Sequence, residues 1–116
     1  DPNRVFKTLV TIGSSKNYYV FLVPVCSELN LKKAAKSVNE KSIEMIKSKD
    51  LLSLTGYIHG GCSPIGMKKF FTTIIDESAI LYESIIFSGG KIGYQVELSL
   101  GELDKVIEYK LDDICG

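Results

Sequence analysis

Between Thr55 and Gly66 the chain reads TGYIHGGCSPIG, with four glycines, a proline, the only histidine of the sequence and one of its three cysteines. His59 and Cys62 lie three residues apart, a spacing that would suit a thiolate–imidazole nucleophile. Such a nucleophile needs a base within hydrogen-bond reach and a third group to orient that base. Nothing in the sequence supplies the third group. The window also fails as a phosphate cradle, because the lysine of a GxxxxGK[ST] loop is missing and GxGxxG is absent. Two readings of the glycines remain. One is a tight turn that demands positive φ. The other is bare backbone that lets a ligand approach closely and offers N–H donors to an anion or a developing oxyanion.

Lysines supply the other chemistry. If residues 5–12, VFKTLVTI, form a strand, then Phe6, Thr8, Val10 and Ile12 share one face, and Val5 and Leu9 flank Lys7 on the other. Both faces are apolar, so Lys7 is expected to be partly desolvated. It is either a snorkelling edge lysine or a charge held in a cleft for an anion or a carbonyl. Lys32, Lys33 and Lys36 lie off the apolar stripe of a helix, as a solvated face or as contacts to a phosphate backbone. Lys68 and Lys69 directly follow the Gly-rich loop.

These groups must be placed by a single domain, since 116 residues suffice for one and not two. Lysine plus arginine and aspartate plus glutamate number 14 each, which argues against a dominant nucleic-acid field but leaves room for a local basic face. Cys26, Cys62 and Cys115 are odd in number and form no CxxC pair, so reduced thiols in a cytoplasm are expected. No apolar run approaches the ~18 residues of a membrane span, and no secretory leader is visible.

The pattern predicts a hairpin of strands 5–12 and 18–25 around the turn GSSKN. Asn30 caps a helix with Leu31, Ala34, Ala35 and Val38 on one face. A short strand at 42–46 and a helix at 47–54 stopped by Gly56 follow. FFTTIID at 70–76 reads as a strand, and 84–88 with 94–98 as a second hairpin. Ser99 and Glu102 make a capping box that opens a helix with Leu100, Leu103 and Ile107 on one face. Hairpins with helices between them predict an α+β fold.

DPNRVFKTLV, LNLKKAAKSV, TGYIHGGCSPIGMKK and SGGKIG, in this order and at these spacings, resemble the YbaK/prolyl-tRNA editing-domain family over essentially the whole chain. The resemblance implies a compact, mixed, barrel-like sheet surrounded by helices. It implies a single editing-like domain over residues 1–116, without the initial helix and strand that other members carry upstream. The implied activity is hydrolysis of misacylated tRNA, with Cys-tRNA(Pro) first and Ala-tRNA(Pro) as the alternative. A non-catalytic module that binds the tRNA acceptor end or another partner stays open. No metal and no cofactor is implied, the partner is aminoacyl-tRNA with prolyl-tRNA synthetase as a possible second, and no membrane or DNA is involved.

Carried over position by position, the family's essential lysine falls on Lys7, beside Thr8. Its GxxxP loop falls on Gly60, Gly61, Cys62, Ser63 and Pro64, and its SGG turn on Ser88, Gly89 and Gly90. Tyr57 stands at the TGY tyrosine. The catalytic set so implied is Lys7, Gly60 and Ser88, with Thr8, Tyr57, Gly61, Ser63, Pro64, Gly89 and Gln95 binding substrate. The chain departs from the family at Ile92, where an arginine is common, at Gln95, where an aspartate is frequent, and at Cys62, where an aliphatic residue is usual. An aminoacyl ester is already an activated acyl group beside a ribose hydroxyl. Positioning and an oxyanion site can therefore suffice for its hydrolysis.

Overall fold

The two apolar runs around GSSKN fold as the expected hairpin. In the computed structural model, which describes residues 1–116, β1 (Phe6–Gly13) and β2 (Tyr18–Pro24) pair antiparallel from Phe6 opposite Pro24 to Ile12 opposite Tyr18. Neither strand alternates strictly between apolar and polar, because both of its faces are covered. Phe6, Val10, Val20 and Leu22 enter one core with Leu51, Cys62, Ile75, Ile85, Phe87 and Leu103. Tyr19, Phe21 and Val23 enter a second core on the opposite face, with Ala34, Ala35, Ile43, Ile74 and Ile114.

The helix α1 (Leu31–Ser37) covers that second face and is opened by Asn30, whose Oδ1 accepts from the Lys33 N–H at 3.0 Å. Its buried stripe is narrower than the pattern predicts, since Leu31 is exposed while Ala34 and Ala35 are buried. The short strand β3 (Ile43–Met45) pairs with the far end of β1, Gly13 opposite Ile43 and Thr11 opposite Met45. The helix α2 (Ser48–Thr55) ends, as expected, on Gly56 at φ 86°. The strand β4 (Thr72–Asp76) runs parallel to β2, and β5 (Ile85–Ser88) and β6 (Gln95–Leu98) form the second hairpin. The main sheet thus runs β3-β1-β2-β4 and is completed beside β4 by a last strand near the C-terminus, with β5-β6 as a separate pair over the first core.

The C-terminal region departs from the pattern. The capping box forms, with Ser99 Oγ accepting from the Glu102 N–H and Glu102 Oε1 from the Ser99 N–H. Yet the helix α3 covers only Leu100–Leu103. Leu103 is fully buried, Ile107 and Tyr109 pack on the same core, and the chain is drawn into a further strand, β7 (Lys110–Asp112), parallel to β4. Tertiary packing overrides the helical period here. No helix is long and apolar enough to cross a membrane.

Asp76 fastens this last segment. It is buried, its Oδ1 accepts from the Ile114 N–H at 3.1 Å, and its Oδ2 accepts from the Ser78 N–H at 3.2 Å. Burial works against its ionisation, but donors from Ser78, Ile114 and Cys115 together outweigh it and hold the carboxyl below its ordinary value of 3.8. Asp76→Ala would leave the buried Ile114 N–H without an acceptor. It is expected to lower stability by about 1–3 kcal/mol in urea or thermal melts. Because the folded-state pKa lies below the unfolded one, this stabilisation is complete well above pH 3.8 and fades as pH falls through the folded-state value. The gap between wild type and Asp76→Ala should therefore close in acid.

Candidate functional site

The edge of β1 that faces away from β2 is paired at both ends and open in the middle. At one end a parallel bridge joins Val5 to Ile86 of β5. At the other, β3 pairs with Thr11, Ile12 and Gly13, and the Ile46 N–H reaches the Val10 carbonyl. The Val25 N–H donates to the Val5 carbonyl, so the odd-numbered residues of β1 bond to β2. Thr8 opposite Leu22 is then a non-bonded pair, and its N–H and C=O point into the opening. Its side-chain Oγ1 is buried and has no hydrogen-bond partner.

A cleft of about 420 Å³ lies along this opening. Lys7, Thr8, Gly60, Ser88 and Gln95 all line it, so the structure brings together the FKT strand, the Gly-rich loop and the second hairpin. Ser88 and Gln95 stand directly opposite each other across β5 and β6. Lys7 is half-buried and, by alternation, belongs to the face of Leu9 and Val23, whereas Thr8 belongs to that of Phe6 and Val10. The cleft takes in both because it follows the strand's edge and not one of its faces. No aspartate or glutamate lines it. His59, Lys91 and Tyr94 do, and the sequence reading did not assign them to the site.

Tyr57, Gly61, Ser63, Pro64 and Gly89 do not line the cleft. Each is occupied within the loops that form its wall. The Tyr57 hydroxyl donates to the Ile65 carbonyl. The Tyr57 side chain lies between two glycines at positive φ. A Cβ on Gly66 would come within 2.9 Å of its hydroxyl, and one on Gly90 within 3.0 Å of its ring. The Gly61 N–H is already donated to the Ile58 carbonyl at 3.0 Å, and a Cβ there would meet the Lys91–Ile92 backbone at 3.3 Å. Gly61 therefore brings two chain segments together and is not a donor to a ligand. Ser63 is buried and its Oγ accepts from the Ile65 N–H, while Pro64 is buried behind it. Gly60 is different: at φ 85° it is exposed at the cleft, and no protein acceptor takes its N–H.

Cys62 lines the cleft, but it is buried, and burial pushes its thiol up to about 11 against a smaller opposing pull from Thr55. A thiol so placed stays protonated at neutral pH and is a poor nucleophile. The lysines of α1 belong to the second core's side of the sheet. Lys33 is tied to Asp113 at 2.9 Å and to the Cys115 carbonyl at 2.8 Å, so it serves the fold. Lys68 lies over Gly56, and neither it nor Lys69 lines the cleft.

The family model for the aminoacyl-tRNA editing domain matches residues 1–106. A candidate Cys-tRNA(Pro)/Cys-tRNA(Cys) deacylase, EbsC, of Enterococcus faecalis is 52% identical over 99 residues, 85% of this chain and 60% of that protein. The chain thus spans about 60% of the length of this curated relative. Among solved structures, a scaffold used in computational epitope backbone grafting superposes with a TM-score of 0.92 at 25% identity, over all of this chain and 74% of the other. The crystal structure of a candidate trans-editing enzyme for prolyl-tRNA synthetase gives 0.89 at 24% identity, over all of this chain and 73% of the other. The mixed sheet, the order of the motifs and the match over nearly the whole length lead to one conclusion: the chain belongs to the aminoacyl-tRNA editing domain family.

Proposed function

We propose that this chain carries the ester-cleaving site of an aminoacyl-tRNA deacylase, acting on misacylated tRNA with Cys-tRNA(Pro) as the favoured substrate. The observation that carries the reading is that Lys7 and the free N–H of Gly60 share one cleft with no carboxylate in its lining. The 52% identity to EbsC supports the choice of cysteinyl ester. In this reading Lys7 holds the 3′-terminal phosphate or ribose of the substrate. The Thr8 edge groups and the side chains of Ser88 and Gln95 orient the aminoacyl group. Gly60 donates to the carbonyl oxygen as negative charge gathers on it, the moment at which a preorganised donor contributes most.

The step needs no protein nucleophile. A water oxygen, or a hydroxyl or thiol of the substrate itself, attacks the ester carbonyl carbon. The bond to the ribose oxygen breaks, and that oxygen takes up a proton. Water then releases any intermediate as the free amino acid. Burial of Cys62 is consistent with a scheme in which no enzyme thiolate takes part. Prolyl-tRNA synthetase is the natural source of the mischarged substrate in this scheme.

The deciding experiment incubates the full-length protein with Cys-tRNA(Pro) and Ala-tRNA(Pro) and follows amino-acid release. Cysteine should be released well above the spontaneous rate, and binding without release would favour a non-catalytic module. Two variants locate the site. Lys7→Ala should lower kcat/KM for deacylation by about ten- to a hundredfold, the scale of losing one charge-assisted contact to the substrate. Its melting temperature should change little, because Lys7 is only half-buried and forms no ion pair. A variant that unfolds readily while its folded fraction still deacylates would make Lys7 structural. Cys62→Ala should deacylate within about threefold of wild type per folded molecule, whereas a thiol nucleophile would make the loss several orders of magnitude.

A further inference from the structure

Of the phenylalanine and tyrosine rings that line the cleft, only that of Tyr94 packs into neither core. The residue stays 65% exposed. Its backbone, by contrast, is fixed twice: its N–H donates to the Lys91 carbonyl at 3.1 Å, and its carbonyl accepts from the Gly89 N–H at 2.8 Å. The ring is therefore carried on a pinned hairpin tip. Beside it, Gly93 leaves open space, with no atom within 4 Å of where a Cβ would stand. The Lys91 ammonium lies 5.8 Å from the ring centroid. Lys7 and Lys91 line the same cleft with no acidic residue, in a chain whose positive and negative residues balance at 14 each. Such a site offers a flat π face and localised positive charge to a ligand that has a flat face and negative charge of its own.

We propose that Tyr94 is the stacking platform for the 3′-terminal nucleobase of the substrate RNA, with Lys91 taking an adjacent phosphate. The assignment rests on the deacylase reading for the identity of the RNA. It adds the residues that grip the nucleotide as distinct from those that meet the ester. An aromatic face tolerates any base, so the contact contributes affinity and register, while the aminoacyl group is chosen deeper in the cleft. Tyr94 touches the base in this scheme but not the reacting atoms, so it is a positioning residue. Its loss should raise KM and leave kcat nearly unchanged.

The test measures binding of a fluorescently labelled, uncharged single-stranded RNA ending in CCA to the full-length protein by anisotropy at fixed salt. Tyr94→Leu should weaken binding at least about fivefold, the lower end of what one stacked base contributes. Tyr94→Phe, which keeps the ring, should bind within about twofold of wild type. An RNA whose terminal nucleotide lacks its base should bind wild type as weakly as the intact RNA binds Tyr94→Leu, with no further loss in the variant. Equal binding by wild type and Tyr94→Leu, an equal penalty for the abasic RNA in both proteins, or no RNA binding at all would overturn the platform. Parallel deacylation of Cys-tRNA(Pro) separates the two readings. A kcat/KM for Cys-tRNA(Pro) that is insensitive to Tyr94→Leu sinks the platform alone. Binding that depends on Tyr94 without any cleavage sinks the deacylase and leaves the platform standing.

Discussion

The site exists because the hydrogen-bond ladder on one edge of β1 is interrupted. β5 closes that edge at Val5 and β3 closes it from Thr11 onward. Between them the backbone of Thr8 faces outward with nothing to pair to. An open strand edge is ordinarily a hazard, since it invites another strand. Here the opening is only a few residues long and recessed between two paired segments, too short and too enclosed for a strand to add. What remains is a set of oriented donors and acceptors at the base of a cleft. The unpartnered, buried Thr8 Oγ1 belongs to the same set. Buried polar atoms without partners are uncommon, and this one sits on the residue whose backbone is also unpaired.

The Gly-rich loop has less to do with chemistry than its composition suggests. Its residues mostly hold the loop against the turn between β5 and β6. Gly66 and Gly90 make room for Tyr57, and Gly61 makes room for the Lys91–Ile92 backbone. This mutual fit fixes both walls of the cleft with few side chains and keeps Gly60 at a positive φ with its N–H free. Preorganisation of this kind lets a single backbone donor matter, because no reorganisation is needed when charge develops. The Lys91–Tyr94 tip belongs to the same braced unit.

Sequence reading succeeded where local rules decide. The Asn30 cap, the Gly56 stop, the Ser99–Glu102 box and both hairpins follow from neighbours within a few residues. It failed where distant packing decides. Nothing local marks KLD at 110–112 as a strand, because its partner is β4, and α3 is cut short by burial that Leu103 shares with residues far along the chain. The site divides in the same way. Lys7 was singled out as a strand lysine between apolar faces, Thr8, Gly60, Ser88 and Gln95 were named through the resemblance, and all five share the cleft. Tyr57, Gly61 and Ser63 carry the same motifs but face inward, since a motif does not record which side of a loop meets solvent. Lys91 and Tyr94 were missed because an exposed lysine and tyrosine in a turn look like any others until the turn is seen at the cleft mouth.

The absence of carboxylates from the cleft connects its electrostatics to its chemistry. In the proposed reaction a general base would help to activate water, yet an aspartate or glutamate here would repel the phosphates of the proposed substrate and would draw Lys7 and Lys91 into ion pairs. It would also oppose negative charge building on the carbonyl oxygen near Gly60. In a protein with no net charge, keeping acidic residues out of one cleft makes a local positive field without making the whole surface basic. Binding is then selective for a ligand small enough to enter and negative enough to be held. An activated ester needs little more than that, because its barrier is lowered by orientation and by one well-placed donor.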